Sequence, residues 1–80
     1  MTPAVVLYGR PGCHLCEDAL TVLERVRART PFTFQQVDIE SDDALFMSYL
    51  ERIPVVTIDD REMFQLFVDE QALEAALTGS

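Results

Sequence analysis

Ala4-Val5-Val6-Leu7-Tyr8-Gly9-Arg10-Pro11-Gly12-Cys13-His14-Leu15-Cys16 is a strand handing over to a helix, and its reading decides the fold. Residues 4–8 form a short apolar run with β-branched valines, the pattern of a buried strand, and Gly9-Arg10-Pro11-Gly12 ends it as a loop. From residue 14 to residue 29 the apolar positions Leu15, Ala19, Val22, Leu23 and Val26 recur at helical spacing. One helical face therefore packs, while Glu17, Asp18, Glu24 and Arg25 can face water. Thr30-Pro31 stops the helix, because a residue preceding proline is driven out of the α region.

Working outward, residues 32–38 carry Phe32, Phe34 and Val37 and read as a second strand. Ser41-Asp42-Asp43 offers a cap and acidic residues for the positive end of a second helix, which holds the i,i+4 pairs Leu45/Tyr49 and Phe46/Leu50. Residues 54–58 form a third strand, since Val55-Val56-Thr57-Ile58 is β-branched throughout. Asp59-Asp60-Arg61 is read as the turn and residues 63–68 as the fourth strand. Asp69 then caps a last helix with Ala72, Leu73, Ala76 and Leu77 on its apolar face. The order βαβαββα predicts an α/β fold, a four-stranded mixed sheet with helices on both faces and a right-handed βαβ crossover. At 80 residues, one domain spanning 1–80 is expected.

The composition, 49% hydrophobic and 25% charged, is that of a globular protein. No apolar run approaches the roughly 18 residues of a membrane span, so no membrane association is expected. Met1-Thr2-Pro3-Ala4 lacks the basic and apolar segments of a signal peptide, and two cysteines do not make a disulfide-stapled secreted miniprotein, so a cytoplasmic location is expected. The formal charge is −8, and all six basic residues are arginine. Residues 1–30 carry four arginines against three acids, whereas residues 31–80 carry two against eleven. The one basic run, Arg25, Arg27 and Arg29, suits the negative end of a helix dipole, so nucleic acid is not expected as a partner. The acidic half discourages self-association, and a monomer is expected.

Cys13-His14-Leu15-Cys16 lies where the first strand meets the first helix, the setting of a dithiol redox site. Positions i and i+3 share one face of the first helical turn, within reach of a disulfide. Cys13, at the helix opening, meets unpaired backbone N–H groups and the positive end of the dipole, which favour thiolate over thiol. Cys16, one turn further in, is expected to be more buried and protonated, so Cys13 is the candidate nucleophile and Cys16 the resolving thiol. Three other readings stand beside this one: two cysteines that merely pack, half of a structural zinc site, or a metal or iron–sulfur cluster shared between two chains in a dimer. His14, when protonated, can stabilise the Cys13 thiolate, and Arg10 is the nearest cation in sequence for that thiolate or for a substrate carboxylate. Glu17 and Asp18 act in the opposite direction. Ile53-Pro54 marks the start of a strand, and the statistics of X-Pro bonds predict it to be trans.

The stretch from Leu7 to Ala19, followed by Arg52-Ile53-Pro54-Val55-Val56, resembles the thioredoxin superfamily. It is most similar to the small glutaredoxin-like proteins with a Cys-His-Leu-Cys active site, and the resemblance covers essentially the whole chain. The resemblance implies a thioredoxin fold of glutaredoxin size. It also implies a cis Pro54 packed opposite the cysteines, with the Ile53 backbone pairing with an extended substrate as an added strand. The implied activity is thiol–disulfide exchange at Cys13 and Cys16. No cofactor would be bound. The partners would be a disulfide-containing protein or small-molecule substrate and a reductase of unknown identity, with glutathione as a co-substrate. The chain departs from ordinary glutaredoxins in lacking their Gly-Gly element, for no glycine lies between Gly12 and Gly79. Residues 64–68 are bulky where that element would approach glutathione. Arg10 stands near a lysine position of glutaredoxins, which preserves a means of anion recognition.

Overall fold

A computed structural model of the chain describes residues 2–78. The elements run β1 (Ala4–Gly9), α1 (His14–Arg29), β2 (Thr33–Asp38), a single 3₁₀ turn (Ile39–Ser41), α2 (Asp43–Tyr49), β3 (Val55–Ile58), β4 (Arg61–Gln65) and α3 (Glu70–Thr78). The sheet order is β2-β1-β3-β4. β1 and β2 are parallel, as the α1 crossover requires, and β3 and β4 join antiparallel. The sheet is thus mixed and four-stranded, with three helices.

Strand alternation sorts the side chains into two cores. Val5 and Leu7 of β1 and Val56 and Ile58 of β3 pack with Ala19, Leu23 and Val26 of α1 and Leu73 of α3. The other core holds Cys16, Ile39 and Ile53, with Tyr8, Leu45, Phe46, Tyr49 and Leu50 packed against it. Every residue of β3 is buried, which explains its unbroken β-branched run.

The helix ends follow local chemistry. Cys13 is the N-cap of α1, and the Thr30 amide closes its other end on the Val26 carbonyl at 2.7 Å. Asp42 caps α2 by accepting from the Ala44 and Leu45 amides, and Asp69 caps α3 through the amides of Gln71 and Ala72.

Several sequence expectations need correction. The hairpin turn is only Asp59-Asp60, both at positive φ (51° and 68°), which aspartate tolerates. β4 therefore begins at Arg61 and stops at Gln65 instead of spanning 63–68. Its register slips between Val56 and Thr57, leaving Met63 without an opposite residue. Leu15 is half exposed, because the buried line of α1 runs through Cys16, Ala19, Leu23 and Val26 and Leu15 lies outside it. Ala72 is exposed for the same reason, the face of α3 being centred on Leu73 with Ala76 and Leu77 at its margins.

The basic run on α1 is used internally. Arg25 and Arg29 pair with Glu70, and Arg29 also with Glu74, at 2.8–3.0 Å, tying α1 to α3. Arg27 donates to the Phe32 carbonyl at 3.0 Å and lies over the rings of Phe32 and Phe34. Hydrogen bonds from Arg29 and then Arg25 hold the Glu70 carboxyl below its usual range. A depressed folded-state value means that the contribution of Glu70 is present above the unfolded carboxylate pKa and is lost as pH falls through the folded one. In urea unfolding taken from about pH 7 to about pH 3, the stability difference between the native chain and Glu70→Gln should therefore shrink on acidification. A difference that is constant with pH would show that the pairs to Glu70 contribute nothing.

Candidate active site

The connection from β1 to α1 brings the two cysteines together. Gly12 takes a φ of +78°, which a side chain would resist, and the chain then enters α1 with Cys13 at its cap. Cys13 and Cys16 have Cα atoms 5.2 Å apart and are joined in a disulfide across the first turn. The Cys16 amide donates to Cys13 Sγ at 3.2 Å, so one of the orphan N–H groups of the helix end already serves this sulfur. Cys16 is buried and Cys13 is partly exposed.

Gly9 is a site residue that sequence reasoning missed. A Cβ built there would lie 2.9 Å from Cys16 Sγ and 3.2 Å from its Cβ, so the bare backbone at the end of β1 is what admits the inner cysteine. The only signal in the sequence is a glycine closing an apolar run, which a turn explains equally well.

Ile53-Pro54 is cis, where residue statistics predicted trans and the family resemblance implied cis. Ile53 shares a buried cluster with Cys16 and Ile39, and Cys13 packs against that cluster. The register of β1 with β3 places Val55 opposite Tyr8, which brings the preceding Ile53-Pro54 to the same end of the sheet as Gly9. Tyr8 stacks at 4.9 Å on Tyr49. Burial, followed by the neighbouring Tyr49 and Asp60, pushes the Tyr8 phenol above its ordinary range.

Arg10 and His14 make their ion pairs with acids and not with the sulfurs, although Arg10 lines the groove beside the cysteines. Arg10 pairs with Glu40 at 2.7 Å, and its guanidinium lies 5.8 Å from the Phe46 ring centre. His14 is exposed, with Nδ1 3.9 Å from Glu17 Oε1. Arg52 pairs with Glu62, donates to the Ser48 carbonyl and lies over Tyr49. A groove of about 420 Å³ opens beside the cysteines, its polar lining formed by Arg10, Glu17, Gln36 and Asp38. Among the described residues, no group of three or more His, Cys, Asp and Glu side chains converges in a way that could hold a metal ion. No helix among them is long and apolar enough to cross a membrane.

Comparison with known proteins agrees with this geometry. Residues 4–78 match the model of the Glutaredoxin-like domain (DUF836) family. A glutaredoxin of Vibrio cholerae is 37% identical over 71 residues, covering 84% of this chain and 75% of its own. The solution structure of a Nitrosomonas europaea protein superposes with a TM-score of 0.85 at 30% identity, covering 98% of this chain and 94% of that one. A thioredoxin variant from Halobacterium salinarum superposes at 0.71 with 20% identity, covering 96% and 73%, which establishes the shared thioredoxin fold.

The contact at Gly9 generates a prediction. Gly9→Ala forces a methyl group against Cys16 inside a packed junction, a change expected to cost about 1–3 kcal/mol in urea unfolding. The reduced protein should also close its disulfide more slowly with a small oxidant than the native chain does. Native stability and an unchanged closure rate would show that Cys16 yields freely and that Gly9 has no positioning role.

Proposed function

The chain belongs to the glutaredoxin-like domain family, and from that premise we propose that it is a thiol–disulfide oxidoreductase acting through Cys13 and Cys16 on protein or small-molecule disulfides. The observation that carries this reading is the disulfide closed across the first turn of α1, with Cys13 at the cap and Cys16 buried behind it. Cys13 Sγ, as thiolate, attacks one sulfur of the substrate disulfide. That S–S bond breaks, the departing sulfur takes a proton, and a mixed disulfide joins Cys13 to the substrate. Cys16 then loses its proton and attacks Cys13 Sγ, releasing the second substrate sulfur as a thiol. The substrate gains two electrons and two protons, and the protein ends as the Cys13–Cys16 disulfide. A thiol reductant, glutathione or a dithiol protein, returns the pair to the dithiol by the reverse exchange.

No bound cofactor enters this cycle. The Ile53 backbone, beside the cis Pro54, is the proposed docking edge for an extended substrate, with Arg10 and His14 at the mouth of the site. A monomer working in the cytosol, where a thiol pool keeps the pair reduced, fits the reading.

The test is a redox titration of the purified protein across graded glutathione ratios, quenched in acid, alkylated and read by intact mass. One two-electron transition to an intramolecular disulfide is expected. Cys13→Ser should bring disulfide reduction to background, and Cys16→Ser should accumulate the mixed disulfide. The alkylation rate of Cys13 should rise with an apparent pKa below the value of about 8.5 for a free thiol. Two cysteines that remain alkylatable at every ratio would overturn the assignment.

A further inference from the structure

The loop after β4 carries three features that the exchange reaction alone does not use. Leu66 has a φ of +67°, although it is neither glycine nor asparagine. The Phe67 amide donates to the Gln65 carbonyl at 2.7 Å, which makes residues 65–67 a γ-turn of the rare positive-φ kind. The Leu66 amide is shared between the carbonyls of Arg52 (3.1 Å) and Pro54 (2.9 Å), so the turn is fastened on both sides of Ile53. The turn leaves Leu66 and Phe67 exposed, Phe67 by 67%, although both belong to an apolar triplet whose third member, Val68, is buried. Leu15, between the two cysteines in sequence, is a third exposed apolar side chain.

Charge around the site is arranged unfavourably for a small anionic thiol. The guanidiniums of Arg10, over the Phe46 ring, and Arg52, over the Tyr49 ring, are both held by glutamates. Glu17 and Asp38 line the groove beside Cys13 together with Arg10, whose charge is paired with Glu40, and the whole chain carries −8. A glutathione molecule would bring two carboxylates to these acids. An extended peptide with an apolar side chain towards Leu66 and Phe67 and a basic one towards Glu17 and Asp38 would match both walls.

We propose that Leu66 and Phe67, held out by the γ-turn, are specificity-determining residues that select a protein disulfide flanked by an apolar and a basic residue over glutathione disulfide. The proposal rests on the exchange reaction assigned above. The order of bonding supports it: the cysteines pack against the cluster of Ile53, and Leu66 is hydrogen-bonded to the residues on either side of Ile53, which fixes the loop carrying both exposed side chains next to the backbone where a substrate strand would pair.

The test uses the reduced full-length protein in single-turnover reactions with three disulfides. Two are cyclic peptides identical except for the residues beside one cysteine, Leu and Lys in the first and Ser and Glu in the second; the third is glutathione disulfide. The native chain should react with the Leu/Lys peptide about tenfold faster than with either of the others. Phe67→Ser, at an exposed position, and Leu66→Gly, which suits the positive φ, should each cut that ratio by about threefold or more, with the loss falling on the Leu/Lys peptide. Glu17→Gln should narrow the ratio further and weaken its dependence on salt. Equal rates on all three disulfides, or variants that slow all three alike, would overturn the proposal while leaving the exchange reaction standing. No reaction with any of them would overturn the exchange reaction itself, and this specificity with it.

Discussion

The junction between β1 and α1 is the constraint on which the rest of the molecule depends. β1 is flanked by β2 and β3, so its last residue lies inside the sheet, and only four residues separate it from the start of the helix. Gly12 supplies the positive φ that the turn needs, and Gly9 supplies the space into which Cys16 is packed. The same junction makes Cys13 a helix cap, placing the sulfur among N–H groups that have no other partner in the helix. Because β3 runs antiparallel to β1 with Val55 opposite Tyr8, the Ile53-Pro54 bond falls beside this junction through sheet register alone.

Electrostatics divides the molecule between structure and recognition. Arg25 and Arg29 engage the acids of α3, Arg27 a carbonyl and two rings, and Arg10 and Arg52 glutamates and the rings of Phe46 and Tyr49. Exposed pairs such as these are individually weak, because water and salt screen them. Their larger effect is on what remains. With these cations engaged internally, the excess of acids dominates the outer field, which attracts basic partners and repels anionic ones.

The sequence is most informative where structure is local. The bounds of α1, the caps at Asp42 and Asp69 and the position of the cysteines all follow from periodicity and capping chemistry within a few residues. The fourth strand ends at Gln65 and not at Val68, and Leu66, Phe67 and Val68, three consecutive apolar residues, break the period of two that a half-buried strand would show. In the structure only Val68 of the three enters the core. The role of Gly9 and the packing of Ile53 onto Cys16 depend on pairs 7 and 37 positions apart in sequence, and no local pattern encodes them.

This division separates the reacting atoms from the surface that surrounds them. The dithiol is built from one strand end and one helical turn, and its geometry is settled by Gly9, Gly12 and the cap. The loop from Leu66 to Asp69 lies outside the strand ladder and is tied back by the shared amide of Leu66, the buried side chain of Val68 and the Asp69 cap. A leucine at positive φ is disfavoured by about 1–2 kcal/mol, a penalty that glycine would not incur. The two hydrogen bonds to Arg52 and Pro54 offset that penalty, but glycine would make them equally well. What leucine adds at that position is its side chain, and it is half exposed instead of buried in the core. Neither packing nor backbone geometry accounts for it, whereas the contact proposed for it with a substrate strand at Ile53 would.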